Sequence, residues 1–339
     1  MLLTIQNTFA CSRPMNKMPR VCIAGMGGMG GTFASILSSR PVMLSVVARG
    51  STLQALRENG LVCQNGSEIT RHSLRVNDRA PSEIQDLIIL SGKSYQLPDL
   101  FKTVSHAVGP NTLIIPVLNG LPWWMIAQTN TARSIVKKIT HTLDPEGNLG
   151  SIPTENIIGC VAYAFAQVTA PGKVNISGSP RFILGNALPG QNTVDRVLTW
   201  LEGGEGHFAE TPDIKKEIWN KLSLNVATNF LSVLCEGTLK ILSSNPDLCV
   251  LVRRCLVEIQ VLGQDCGIGG LLPIDELMSK VEQGGNHPTS MLQDYLRNKP
   301  LELAAMGDVI IRLAHHHGLV LPTTEALVGL TRNKASRRY

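Results

Sequence analysis

Lys221, Asn225 and Asn229 recur every four residues, and their neighbours Ile218, Leu222 and Val226 are apolar. On a helix this spacing stacks one ammonium and two amides along a single face, close to a buried surface. Such a row suits a polar ligand held at the edge of a core, although the spacing alone fits a solvated face equally well. A second candidate is the run Gly25-Met26-Gly27-Gly28-Met29-Gly30, which contains the pattern GxGxxG between a short apolar segment and a helical one. In that context Gly25 permits a tight turn, Gly27 lets the backbone approach a pyrophosphate and Gly30 lets helix pack closely on strand. The helix N-terminus then offers unpaired N–H groups to phosphate. Arg49 ends the next apolar segment, where NAD-binding proteins usually carry an acid for the ribose 2′-hydroxyl. A guanidinium there suits a 2′-phosphate through forked, charge-assisted hydrogen bonds, so the cofactor expected is NADPH. The competing readings are a glycine-rich turn that binds nothing and a surface arginine.

These residues need an open, parallel α/β sheet behind them. Arg20 to Ala24, Val42 to Ala48, Asp86 to Leu90 and Thr112 to Leu118 are continuous apolar runs, the pattern of strands covered on both faces. Thr32 to Ser38 and Thr52 to Asn59 read as crossover helices. Lys93 and Asn119 each follow a buried strand, and ligands of such sheets bind beyond the strands' carboxyl ends. Ordinary turn residues are the alternative for both. Ile157 to Val168 and Val174 to Leu184 read as strands joined by Pro171-Gly172-Lys173, able to extend the same sheet. Residues 130–156 are polar and punctuated, and read as a surface excursion.

From Thr211 the pattern becomes helical. Thr211-Pro212-Asp213 reads as a helix start, with a hydroxyl cap, proline in the first turn and an acid behind it. The expected organisation is an extension over 1–18, an NADP-binding Rossmann domain over 19–209 and a helical substrate and dimerisation domain over 210–332. The fold class is therefore a Rossmann-like α/β N-terminal domain followed by an all-α C-terminal domain. Ser290 and Glu302 carry little signal alone and read as surface residues. His315, His316 and His317 would point about 100° apart on a helix, so they cannot converge on one metal ion.

Composition narrows the function classes. The 339 residues carry a net charge of +5 with 17% charged and 4% aromatic residues. Lys and Arg are scattered, unlike the basic stripe with aromatics of a nucleic-acid binder. No apolar run approaches the ~18 residues of a membrane span. Eight cysteines, Cys11 among them, form no CxxC pair and read as reduced thiols. Residues 1–19 hold Arg13 and Lys17 and no acid. They read as a disordered extension or an early start ahead of Met18, in a cytoplasmic protein, with a mitochondrial transit segment as the alternative.

Taken in order, the glycine loop of 25–30, Lys93, Leu118-Asn119-Gly120, Glu217-Ile-Trp-x-Lys221 with Asn225 and Asn229, Ser290-Met-Leu-Gln-Asp294 and Glu302 resemble the ketopantoate reductase (2-dehydropantoate 2-reductase) family. Pro122-Trp123-Trp124, Asp144-Pro-Glu-Gly147 and Ala170-Pro-Gly172 add to the likeness, which runs from about residue 19 to about 330. The resemblance implies reduction of 2-dehydropantoate to (R)-pantoate by NADPH, a step toward pantothenate. It implies Lys221 as general acid, with Glu302 helping to orient the substrate hydroxyl. Asn225, Asn229 and Ser290 would bind substrate, and Lys93 and Asn119 would lie near the nicotinamide ribose and the reacting centre. It also allows a homodimer through the helical domain.

Three positions depart from the family pattern. Phe230 stands where many relatives have Pro, Pro288 where Lys is frequent, and Ala304 where an acid is common. Phe230 and Pro288 flank positions expected to shape the substrate pocket. A reductase of another small 2-oxo acid is therefore a second reading, and a non-catalytic NADPH-binding protein a third.

Overall fold

The computed structural model describes residues 18–201, 203 and 206–337. The extension read over 1–18, with Cys11, Arg13 and Lys17, lies outside the described residues except for Met18. In chain order the strands are β1 (Arg20–Ala24), β2 (Met43–Val47), β3 (Leu61–Asn65), β4 (Glu68–His72), β5 (Arg75–Asn77), β6 (Leu87–Ser91), β7 (Leu113–Val117), β8 (Ile158–Ala170), β9 (Lys173–Asn186) and β10 (His207–Glu210). The α-helices are α1 (Gly28–Ser38), α2 (Gly50–Asn59), α3 (Leu97–Lys102), α4 (Trp123–Ile126), α5 (Arg133–Leu143), α6 (Val194–Leu201), α7 (Ile214–Cys235), α8 (Leu239–Ser244), α9 (Pro246–Asp265), α10 (Ile274–Gln283), α11 (Ser290–Leu296), α12 (Val309–His316) and α13 (Pro322–Ser336).

The first sheet is parallel, with order β5-β2-β1-β6-β7. Its direction of growth reverses between β1 and β6, which opens a crevice beyond their carboxyl ends. Val21, Ile23, Leu87, Ile89, Leu113 and Ile115 face one core. Cys22, Ala24, Ile88, Leu90 and Ile114 face another, which runs on without a break into the helices from α7 onward. Apolar residues at both parities produce the continuous runs of the sequence.

The hairpin of β8 and β9 does not extend this sheet, contrary to the sequence expectation. It builds a second one, with β9 between β10 and β3, β4 beyond β3, and β8 antiparallel to β9. A single parallel bridge, Ile114 to Ile157, touches the first sheet. The reason lies in α1, which is buried without interruption from Gly30 to Leu37. Phe33, Ile36 and Leu37 need cover on the side away from the first sheet, and the second sheet supplies it. At Gly31 a Cβ would stand 2.6 Å from Val174 Cγ2 of β9.

The helical region is organised around α7, which is buried on most of its circumference, as the central helix of a bundle must be. The Trp219 indole donates to the Ile259 carbonyl of α9 at 3.0 Å. The cap of α7 is Asp213, whose carboxylate accepts from the Lys216 N–H at 3.1 Å. Thr211, expected to be the cap, lies two residues too early and accepts instead from the Asp213 N–H at 3.3 Å. Among the described residues no helix is long and apolar enough to cross a membrane.

Residues 130–156 are more than a surface excursion. They contain α5, which packs on α12, and Ile139, Leu143, Leu149 and Ile152 are buried. Asp144 is buried too, and its carboxylate accepts from the N–H groups of Asn148, Leu149 and Gly150 at 2.9, 2.8 and 3.1 Å. Stranding such donors costs about 1–3 kcal/mol. Asp144→Ala should therefore lower the urea midpoint of unfolding by an amount in that range, with Asp144→Asn in between; an unchanged midpoint for the alanine variant would remove this role.

Candidate active site

A cleft of about 350 Å³ opens between the carboxyl edge of the first sheet and α7. Leu118, Asn119 and Gly120 line it from the loop after β7, Cys160 and Val161 from β8, and Ile218, Lys221, Leu222 and Asn225 from α7. Pro116, Pro122 and Trp124 complete the wall. Two separate parts of the chain, the loop after β7 and α7, thus bring the predicted Asn119, Lys221 and Asn225 to one place.

The polar row on α7 divides. Asn229, one turn beyond Asn225, is 2% exposed and stands off the cleft. Its Oδ1 accepts from the Met291 N–H at 3.4 Å, and its Nδ2 faces the Met306 sulfur at 3.8 Å. It ties the first turn of α11 to α7. Ser290 opens α11 as an exposed residue behind the Thr289 cap.

The Lys221 ammonium donates to the Ala162 carbonyl of β8 at 2.6 Å and lies 5.8 Å from the centre of the Tyr163 ring. Burial pulls its pKa below the ordinary lysine range, against smaller opposing effects of Cys160 and the Glu302 carboxylate. The Cys160 thiol beside it is pushed up to about 12 by burial, with Lys221 acting in the opposite direction, so it stays protonated as part of the wall.

Glu302, which read as a surface residue on its own, is 4% exposed. One carboxylate oxygen accepts from the Ser94 N–H at 2.9 Å, and the other lies 3.4 Å from the Lys93 ammonium. Lys93 also pairs closely with Asp294 of α11. Burial alone would lower the Lys93 pKa, but the two carboxylates together outweigh it, and the ammonium is held above its usual range. A buried carboxylate needs such partners, because an isolated buried charge is too costly to keep. The segment just after Glu302 forms a π-helical turn over Ala304–Asp308. The Ala305 carbonyl there accepts from the Leu121 N–H at 3.1 Å. Gly120 has φ +90°, and a Cβ on it would lie 2.6 Å from that carbonyl oxygen, so the contact requires glycine.

At the other end of the crevice, Gly25 has φ +95° and backs onto the Ser91 carbonyl, 2.0 Å from where a Cβ would be. A Cβ on Gly30 would sit 1.9 Å from the Gly25 carbonyl oxygen, and one on Gly28 would sit 2.5 Å from that of Ala166 in β8. Around Gly27, the N-cap of α1, there is open space within 4 Å of a Cβ position, and no side chain caps the helix. Met26 and Met29 pack against the core between the two sheets. Arg49 is exposed at the start of α2, with Nη2 3.3 Å from the Asp99 carbonyl.

Two residues went unnoticed as site members when read from sequence. Asp294 is an acid in the short apolar helix α11, four residues after Ser290, and that isolation was the available signal. Trp124 lies just past the turn that ends β7, where a cleft was already expected. Phe230 is core rather than pocket wall, packed near Gly307 and fully buried. The carbonyl of Pro288 accepts from Gln293 at 3.1 Å.

Comparison with known proteins identifies the family. The family model for ketopantoate reductase PanE/ApbA matches residues 21–189, and that for its C-terminal part matches residues 213–335. The chain is 29% identical over 325 residues to the 2-dehydropantoate 2-reductase of Mesorhizobium japonicum, covering 94% of this chain and 98% of that one. A crystal structure from Ralstonia solanacearum assigned to ketopantoate reductase superposes with a TM-score of 0.85 at 26% identity, covering 95% of this chain and 99% of that one. D-Mandelate dehydrogenase, solved with NADH and anilino(oxo)acetate, shares the fold with a TM-score of 0.80 at 20% identity, over 94% of this chain and 99% of its own. With both halves matched in order, the chain belongs to the ketopantoate reductase family of oxidoreductases.

Proposed function

We propose that this protein reduces 2-dehydropantoate to (R)-pantoate with NADPH. The observation that carries the reading is the meeting of Lys221, Asn225 and Asn119 in one cleft, with Glu302 close enough to Lys221 to act on its charge. The glycine loop suits a dinucleotide: a Cβ would fill the open space at Gly27, and the uncapped N-terminus of α1 can receive a pyrophosphate. Gly25, Gly27, Gly28 and Gly30 with Met26 and Met29 would form that cradle, Arg49 would meet the 2′-phosphate, and Lys93 and Asn119 would border the nicotinamide ribose. Bound there, NADPH supplies the hydride that reaches the ketone carbon.

The chain's own part is positioning and proton transfer. Negative charge grows on the ketone oxygen as the carbon is reduced, and the Lys221 ammonium stabilises it and gives it a proton. Lys221 is left neutral, a form its burial already favours, and regains a proton from solvent. The Ala162 carbonyl aims the ammonium. Glu302, fixed by Ser94 and Lys93, accepts the substrate hydroxyl. Asn225 holds the remaining polar groups without adding net charge, and Asn229, bonded to the Met291 N–H, sets the position of α11 and of Ser290 at its start. The apolar wall of Val161, Ile218 and Leu222 also suits other 2-oxo acids with branched side chains, which is the second reading.

The deciding assay is NADPH oxidation with 2-dehydropantoate, run beside NADH and a panel of 2-oxo acids. Turnover of a different oxo acid alone would keep the mechanism and replace the substrate. Lys221→Ala should lower kcat by ~10²–10⁴-fold, and near-normal turnover would end its role as the acid. The active form of Lys221 is the ammonium, and burial favours the amine. Activity should therefore fall with rising pH at a midpoint below the ~10.4 of an ordinary lysine; a profile still flat beyond that value would remove Lys221 from the proton step. Arg49→Asp should weaken NADPH binding far more than NADH binding, and equal losses would show that Arg49 does not read the 2′-phosphate.

A further inference from the structure

Lys221 meets β8 at two consecutive residues. The Ala162 carbonyl accepts an N–H of the ammonium at 2.6 Å, and Nζ stands over the Tyr163 ring, 5.8 Å from its centre. An ammonium within about 6 Å of a ring centre is drawn to the negative π-face. The pairing of β8 with β9 shifts register between Tyr163 and Phe165, and irregularities of this kind beside active sites re-aim side chains. Tyr163 is 38% exposed and does not line the cleft, so any effect it has on a bound substrate passes through Lys221.

We infer that Tyr163 is a positioning residue for the proton-transfer step: the face of its ring holds the Lys221 ammonium beside the Ala162 carbonyl and helps it to stay charged. This rests on the reading of Lys221 as the general acid. The titratable groups acting on the ammonium are the Cys160 thiol of β8 and the Glu302 carboxylate of the helical region. Glu217, one turn earlier on α7, and Arg181 of β9 act on Tyr163. Burial favours the neutral amine of Lys221. A carboxylate in direct contact would reverse that preference, as it does at Lys93, and would then resist release of the proton. A π-face attracts the cation without a charge of its own, which offsets part of the effect of burial and leaves the proton free to move. Tyr163 keeps its own proton. Loss of hydration and the Glu217 carboxylate hold its hydroxyl above the usual tyrosine range, against the opposing effect of Arg181. The ring, and not the hydroxyl, is therefore the working part.

The test is the pH profile of single-turnover NADPH oxidation with 2-dehydropantoate, or with whichever 2-oxo acid is turned over, for a series of rings at position 163. Tyr163→Phe removes the hydroxyl and keeps the π-face, so it should retain turnover and the alkaline midpoint. Loss of most turnover in Tyr163→Phe would make the hydroxyl the working part and overturn the inference. Phenylalanine carrying two and then three ring fluorines at this position keeps the ring in place and drains its face of negative charge. The midpoint should fall step by step, by about half a pH unit between phenylalanine and the trifluoro ring. The sign follows from the ammonium being the active form: a weaker face lets the proton leave at lower pH. A ring with only a packing role would leave the midpoint unchanged across the series, and that result would overturn the inference while Lys221 stayed the acid. A profile with no alkaline fall in the unsubstituted protein or in any variant would remove both Lys221 from the proton step and Tyr163 from its support.

Discussion

The arrangement depends on one buried carboxylate. Glu302 lies in the helical region, yet its partners, the Ser94 N–H and the Lys93 ammonium, follow β6 of the first sheet. A carboxylate this enclosed is tolerable only with donors on both oxygens. The two regions must therefore meet at this point, and the cleft is the space left beside the joint. The Gly120–Ala305 contact and the Leu121 hydrogen bond fasten the same seam a few residues away. The continuous core from β1 and β6 into α7 provides the bulk of the adhesion, and the polar contacts set the register.

Two lysines at this seam show how environment divides identical side chains. Burial acts on both. Lys93 faces Asp294 and Glu302 and keeps its charge more firmly than a lysine in water. Lys221 has a carbonyl, a thiol and a more distant carboxylate around it, and burial prevails. The first is suited to a fixed electrostatic part and the second to giving up a proton. The buried, protonated Cys160 thiol adds no fixed charge to the wall beside Lys221.

The β8–β9 hairpin links cofactor loop and cleft mechanically. By leaving the first sheet it covers α1, brings Ala166 against Gly28, and presents the Ala162 carbonyl to Lys221. A change in how α1 packs is therefore felt at the ammonium through a single strand.

Much of this was legible in the sequence. The strands β1, β2, β6 and β7, the glycine loop, the switch to helices after Thr211 and the row on α7 all follow from side-chain period and backbone freedom, which are local properties. The order of the motifs was enough to suggest the family. What escaped was whatever depended on partners far away in the chain. Lys93 and Glu302 are 209 residues apart, so no local pattern could bury Glu302 or add Asp294 to it. Helical spacing aligned Lys221, Asn225 and Asn229, but only the packing of α11 turned Asn229 away from the cleft. The hairpin carried the correct strand signal, while its sheet was chosen by the need to cover α1. Sequence by itself determined the elements and the chemistry that each could carry. Tertiary structure decided which charges were buried together, because desolvation and pairing exist only once distant segments meet.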